Sequence, residues 1–188
     1  VTYRMYFHNP NEDDYIVGIG GAANGSDGLD TLYILPTSGE FYQHPLGSHI
    51  ATSVYVSLFE LYPELEFDSW VTISYAPEQG IAEQPINTAV DPNQNSWIDE
   101  FEDGFGLILD TSVGGTWYIL PTVSGTMGFP DGEGRVLIGQ FTTAGLIDAQ
   151  VSVVRNSSGG VLYWWSVEDG SCVQSDLCDY PDADGNCD

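Results

Sequence analysis

The sequence contains no lysine, and its three basic residues are the arginines Arg4, Arg135 and Arg155. Against them stand 28 aspartate and glutamate residues, which give a formal net charge of −25 at pH 7. Such a chain lacks the basic stripe that displaces counterions from phosphates, so we expect neither nucleic acid nor anionic membranes as partners. The charge favours divalent cations and extracellular, salt-containing water, although it is equally compatible with a role in solubility alone.

The chain also lacks any run of about 18 apolar residues, so we expect no membrane span. Hydrophobic residues make up 42% and aromatic residues 13% of the sequence, which excludes a disordered acidic chain and predicts a folded domain. Val1 opens directly into strand-like sequence. If the protein is secreted, we therefore expect this chain to be the mature form.

Cysteine is absent from the body of the chain, because Cys172, Cys178 and Cys187 all lie in the acidic segment 169–188. They form no CxxC pair and have no histidine nearby. We interpret them as disulfide candidates of a stapled extracellular tail rather than as a redox or zinc site. The odd number leaves one thiol for another chain or for a cysteine beyond Asp188.

Period-two patterning is the strongest structural signal. Residues 147–153 alternate apolar and polar side chains, and Val136–Thr142 is a second β-rich run. Thr143-Ala144-Gly145 between them predicts an antiparallel hairpin in which Gly145 has a positive φ. About nine to ten short strands predict an all-β fold, a two-sheet antiparallel sandwich or jelly roll over residues 1–168, followed by the tail.

A short internal repeat supports a fold of two layers. Thr31–Thr37, TLYILPT, is repeated almost unchanged at Thr116–Thr122, TWYILPT. Two similar strands in two half-domains are what a two-sheet sandwich shows.

A first calcium loop is predicted over residues 91–102. Positions one, three, five, nine and twelve of a DxNxN…E pattern are held by Asp91, Asn93, Asn95, Asp99 and Glu102. The carbonyl of Trp97 stands at position seven. Ser96 replaces the glycine expected at position six and no flanking helix is predicted, so a solvated acidic loop is the alternative.

A second calcium loop is predicted in the tail. Residues 182–188, DADGNCD, resemble the DxDGxxD loops of thrombospondin type 3 repeats. The resemblance implies that calcium is the cofactor there, with oxygen ligands from Asp182, Asp184, Asn186 and Asp188.

Catalytic motifs are missing: neither GxSxG nor HExxH occurs. His44 and His49 share one loop without a nucleophile motif beside them, and the cluster Asp99–Asp103 lacks the ExDxxE spacing of sandwich-fold glucanases. We therefore predict that the protein is not an enzyme, and a glycoside-active enzyme ranks last among the alternatives. Most tryptophans are predicted to lie in the core, whereas an exposed Trp164 or Trp165 would offer a platform for sugars.

Two N-glycosylation acceptors, Asn24 and Asn156, lie in predicted turns. Their placement, together with the cysteine-bearing tail, favours an extracellular glycoprotein.

Four blocks, FYQHPLG, LEFDSWVTI, GGTWYILP and GRVLIGQFTTAGLIDAQVSV, follow one another between residues 41 and 153. In this order they resemble a widespread domain of secreted and surface proteins of aquatic bacteria and other microbes. The resemblance implies an extracellular β-domain without an established catalytic role. The chain also resembles the subunits of glycan-coated extracellular fibrils, in which neighbouring subunits exchange strands.

These observations lead to one functional prediction and one alternative. We predict a secreted or cell-surface fibril subunit that forms a homopolymer by adding its strand Thr2–His8 to the sheet of a neighbouring copy. In that strand Tyr3, Met5 and Phe7 would fill the neighbour's pockets, and glycans would be attached or bound. The alternative is a carbohydrate-binding module of the same fold.

Overall fold

The computed structural model describes residues 1–9, 12–23, 31–120, 125–156, 162–168 and 171–174, with side chains described as far as residue 155. Strands dominate, and the α-helix of the described part is α1 (Trp97–Glu102). The strands are β1 (Thr2–His8), β2 (Tyr15–Gly21), β3 (Leu32–Pro36), β4 (Trp70–Val71), β5 (Asn87–Ala89), β6 (Leu107–Leu109), β7 (Gly115–Tyr118), β8 (Arg135–Thr142), β9 (Ile147–Asn156), β10 (Leu162–Glu168) and β11 (Ser171–Gln174). The predicted all-β fold is confirmed.

The strands form two antiparallel sheets. The small sheet has the order β1-β8-β4, and the large sheet has the order β11-β10-β9-β2-β7-β5. β9 is the centre of the large sheet. β10 pairs along one side of it, whereas β2 and β3 share the other side, and β3 pairs in turn with β6.

The predicted hairpin is wrong, although both of its runs are strands. β8 lies in the small sheet and β9 in the large one, so residues 143–146 cross between the layers instead of closing a hairpin. Alternation fixes which side chains face inward but does not choose the neighbouring strand. Gly145 has no positive φ. It is needed because a Cβ there would lie 2.6 Å from the Oγ of Ser38.

The inward face predicted for β9 is confirmed. Buried side chains of β8 and β9 line one shared hydrophobic core, among them Val136, Ile138, Ile147, Ala149, Val151 and Val153. Trp70, Trp97 and Trp117 are also buried there, as the sequence predicted for most tryptophans. The two sheets therefore enclose a single core.

The first two sequence blocks meet at a buried carboxylate. Asp68 Oδ1 accepts the backbone N–H of His44 at 2.7 Å, and Oδ2 accepts that of Ser48 at 3.0 Å. The next residue, Ser69, donates its N–H to the carbonyl of Tyr42 at 3.1 Å. Segment 65–73 thus holds the loop that begins at residue 41.

The third and fourth blocks bond to the same segment. Gln140 Nε2 donates to the carbonyls of Glu66 and Asp68, each at 3.0 Å. Trp117 Nε1 donates to the carbonyl of Thr72 at 3.0 Å. All four blocks therefore belong to one hydrogen-bonded network, and much of their pattern has a structural reason.

The two strands of the repeat lie in the same sheet. β3 and β7 both belong to the large sheet, and both bury the second and fourth residues of the repeat, Leu32 and Ile34 in one and Trp117 and Ile119 in the other. The repeat therefore reflects a burial pattern that the two strands share, and it does not mark a division of the chain into two layers.

Candidate functional site

β1, the predicted inter-subunit strand, is an edge strand of the small sheet. It pairs with β8 of its own chain from Thr2, opposite Thr142, to His8, opposite Arg135. The expectation that this strand lies against a neighbouring copy is therefore corrected for the single chain, because β8 offers an edge that β1 itself completes. Exchange of β1 between copies stays a prediction.

The inward side chains of β1 are those that the sequence singled out. Phe7 is 3% exposed, and Tyr3 and Met5 are partly buried against the core. The hydroxyl of Tyr3 donates to the carbonyl of Gly145 at 3.1 Å. Within β1 only Phe7 is fully buried, so the strand contributes little to the core compared with β8 or β9.

The odd-numbered residues of β1 point their main-chain N–H and C=O groups toward β8. Val1 and Thr143 exchange two N–H···O bonds of 2.7 and 3.0 Å, and Asn9 donates its N–H to Gly134 at 2.7 Å. In an antiparallel ladder such pairs alternate with pairs whose main-chain groups point away. The outer edge therefore carries the N–H and C=O groups of Thr2, Arg4, Tyr6 and His8.

The link from β1 to β2 is anchored at both ends. Asn9 Nδ2 donates to the carbonyl of Asp14 at 2.8 Å. The carboxylate of Asp14 lies 3.0 Å from the guanidinium of Arg155 on β9, and both side chains are almost fully buried. These two contacts fix the two ends of the link.

The first predicted calcium loop is organised by its own hydrogen bonds. Asp91 is buried, and its Oδ1 accepts the N–H of Asn93 at 2.9 Å, a bond that lowers the pKa of Asp91. Glu102 Oε1 lies 2.7 Å from Nδ1 of His49. Among the residues that the structure describes, no three His, Cys, Asp or Glu side chains are grouped to hold a metal ion. Calcium binding here stays a prediction.

Helix α1 occupies the second half of that loop, where no helix was predicted. Ser96 caps it, since its Oγ accepts the N–H of Ile98 at 3.2 Å. Serine followed three residues later by Asp99 is a recognised helix-start pattern, so the sequence contained the signal.

The remaining predicted sites lie outside the described side chains. Asn156 ends β9, Cys172 lies in β11, and Trp164 and Trp165 lie in β10, where only the backbone is described. Wholly outside the described residues are Asn24, Cys178, Cys187, Asp182, Asp184, Asn186 and Asp188.

Neither a family model nor a curated protein nor a solved structure matches this chain. The resemblance carried by the four blocks stays a prediction. No helix in the described ranges is long and apolar enough to cross a membrane.

The two loop histidines have structural partners. His49 pairs with Glu102, and Nδ1 of His44 accepts the N–H of Leu46 at 3.1 Å. Beside them, burial raises the pKa of Asp68 to about 6, against the lowering effect of the backbone N–H groups that it accepts. These contacts hold the loop in place.

A groove of ≈ 890 Å³ opens at the amino-terminal end of β1. Burial, followed by the charges of Glu64 and Asp68, raises the pKa of Tyr42 in its wall, which indicates a negative potential there. Carboxylates and two exposed aromatic rings line the groove: Glu40, Glu64, Glu102, Asp103, Tyr42 and Phe67. Such a lining disfavours anions and offers hydrogen-bond acceptors and ring faces to neutral, hydroxyl-rich ligands.

Proposed function

We propose that the protein is an extracellular structural subunit whose β1 strand exchanges between neighbouring copies and so links them into a fibril. The observation that supports this most directly is the placement of β1. It is an edge strand that, within the described part of the chain, is joined to its sheet through β8 alone. Removing it would expose one edge of β8 with its main-chain groups in place for another strand.

The exchanged strand would make the same contacts in a neighbour as in its own chain. The main-chain ladder supplies affinity, and the inward side chains Tyr3, Met5 and Phe7 fix the register, because a slip by one residue would turn them outward. The balance between closed monomer and linked copies then depends on protein concentration and on the link between Asn9 and Asp14.

The composition supports the extracellular location that this proposal requires. An acidic surface without lysine, a cysteine-bearing tail and two glycosylation acceptors fit a secreted or cell-surface glycoprotein that is calcium-dependent and not an enzyme. Glycans would then cover the subunits rather than serve as substrates.

A reversible lock on β1 tests the exchange. The hydroxyl oxygens of Thr2 and Thr142 lie 2.7 Å apart. The two residues face each other in a non-hydrogen-bonded pair, the arrangement in which opposed Cα atoms are closest. We expect the double variant Thr2→Cys/Thr142→Cys to lose fibrils in negative-stain electron microscopy when oxidised and to regain them on reduction.

The single variant Thr142→Cys and the wild type, each with and without reductant, control for the cysteines of the tail. Peptide mapping verifies the engineered bond. Fibrils that form equally well from the oxidised double variant would show that copies are linked in some other way.

A second candidate function, carbohydrate binding, is favoured by the groove. Tyr42 and Phe67 expose about 37% and 50% of their surface beside four carboxylates, a combination of ring faces and acceptors that suits sugars. We expect Phe67→Ala to abolish binding of the monomer on a glycan array, whereas Tyr55→Ala, an exposed ring outside the groove, leaves binding unchanged. Loss of binding in Trp164→Ala alone would place the site on β10 instead.

A further inference from the structure

The outer edge of β1 has no paired strand among the described residues. In the part of the chain that the structure describes, β1 pairs with β8 only. Natural edge strands are blunted by proline, by charges or by bulges that turn the edge away. β1 contains no proline, and its register shift between Met5 and Tyr6 places the extra residue in β8. The outer edge is thus continuous from Thr2 to His8.

We infer that this edge pairs with β1 of a second copy, antiparallel and across a twofold axis at Met5. The outward main-chain groups belong to Thr2, Arg4, Tyr6 and His8, so hydrogen-bonded pairs of the contact join these positions to one another. The contact is the same on both copies, as a twofold interface requires.

The position of the twofold axis follows from two criteria, the number of outward residues that it pairs and the charges that it places opposite each other. An axis at Met5 pairs Thr2 with His8 and Arg4 with Tyr6, which uses all four outward residues. An axis at Arg4 would set two guanidinium groups opposite each other, a destabilising like-charge pair. An axis at Tyr6 would leave Thr2 without a partner in the ladder.

The selected register also brings complementary side chains together. Arg4 of one copy would lie opposite the ring of Tyr6 in the other, where a cation over an aromatic face is attractive. Tyr6 already makes such a contact in its own chain, with the guanidinium of Arg135 4.7 Å from its ring centre.

Net charge favours this strand as the place where two copies meet. With a formal charge of −25, most surfaces of two copies repel each other. The stretch from Val1 to His8 contains no acidic residue and one arginine. Its guanidinium pairs with Glu78 at 2.5 Å, so the strand as a whole is close to neutral. Added salt should strengthen the contact by screening the remaining repulsion.

This contact goes beyond the proposed exchange and does not depend on it. The outer edge stays open whether β1 lies on its own β8 or on that of a neighbour. The oxidised Thr2→Cys/Thr142→Cys variant separates the two ideas, because the lock blocks exchange and leaves the outer edge free.

We would measure self-association of the locked variant by sedimentation equilibrium at two salt concentrations, with Arg4→Pro and Arg4→Ala added to it. Both substitutions remove the ion pair with Glu78, but only proline removes the outward N–H, and proline is tolerated at a sheet edge. A twofold contact loses two equivalent hydrogen bonds, so we expect Arg4→Pro to dimerise about thirtyfold more weakly than Arg4→Ala. Arg4→Ala keeps the N–H but loses the two contacts with the Tyr6 rings, so it should dimerise about tenfold more weakly than the locked parent. Equal effects of the two variants, or a monomeric locked parent, would overturn the inference.

Cross-linking tests the axis independently of dimer strength. Met5→Cys should join two copies through position 5, because Met5 faces itself across the axis. Tyr3→Cys should not, because Tyr3 faces Phe7. Cross-linking of Tyr3→Cys as readily as Met5→Cys, with the bond located by peptide mapping, would refute this register.

Discussion

The carboxylate of Asp68 gives this protein a stability that depends on pH in a predictable direction. The residue is fully buried, and two of its hydrogen bonds hold the backbone of His44 and Ser48. Burial raises its pKa from 3.8 to about 6, because the N–H donors that favour the charged form do not cancel the loss of hydration. The ionised carboxylate is therefore less stable in the folded protein than in the unfolded chain.

The sign of the effect follows from proton binding. Between the unfolded and folded pKa values the folded state binds more protons, so the stability contributed by the proton is complete below pH 3.8 and is lost as the pH rises through about 6. A shift of about two pKa units corresponds to about 3 kcal/mol. Asp68→Asn cannot titrate. The unfolding free energy of the wild type relative to this variant should therefore fall by up to about 3 kcal/mol between about pH 4 and about pH 8.

Urea unfolding followed by fluorescence of the buried tryptophans measures this difference. In Asp68→Asn, the NH2 group of the amide replaces one carboxylate oxygen and so meets a backbone N–H without bonding to it. This lowers the unfolding free energy of the variant by an amount that does not change with pH. Taking the difference also cancels carboxylates with a lowered pKa, such as Glu83 and Asp131, whose contribution has the opposite sign. A difference that is flat across this range, or that grows with pH, would refute the reasoning.

Three further predictions concern the loop, the anchor of β2 and the calcium loop. Gly47→Ala should lower the unfolding free energy by more than about 2 kcal/mol in urea, because a Cβ there overlaps the carboxylate of Asp68, whereas Gly132→Ala, which meets nothing nearby, should be almost neutral. Asp14→Asn should lower the unfolding free energy by about 3 kcal/mol, because it removes the negative charge 3.0 Å from the buried guanidinium of Arg155, an expectation that a change below about 1 kcal/mol would contradict. Calcium should raise the melting temperature of the wild type more than that of Asp91→Asn, and an equal rise in both would exclude the first predicted loop as the site.

The inward faces of the strands could be predicted from the sequence because they depend on neighbouring residues only. The alternation from Ile147 to Val151 survives in the structure, as does the burial of Trp70 and Trp117, although Ser152 on the polar side of the pattern is buried as well. Strand partners depend on contacts far apart in the chain. β8 pairs with β1 from the opposite end of the described chain instead of with β9, and nothing local marks that choice.

The part of the candidate site that lies in β1 could be predicted from the sequence, because its pattern depends on neighbouring residues only. The strand character of β1 and the shared face of Tyr3, Met5 and Phe7 are local, and the sequence indicated both. Asp68 could not be singled out, because among 28 acidic residues composition does not show which one is buried.

The proposed exchange of β1 would depend on the link rather than on the contacts of the strand, because those contacts would be regained in the neighbour. In the closed chain, residues 9 and 14 lie at the two ends of this link. Among the described residues, the side-chain oxygen of Asn9 is buried without a hydrogen-bond partner, while its nitrogen bonds to Asp14. An unsatisfied buried carbonyl costs on the order of 1–3 kcal/mol, and the cost is relieved when the link opens. Asp14 stays attached to β9 through its ion pair, so opening frees β1 without disturbing β2. If copies exchange β1 as proposed, the closed form would carry a local cost at Asn9 that the exchanged form avoids, and high protein concentration would favour linked copies over monomers.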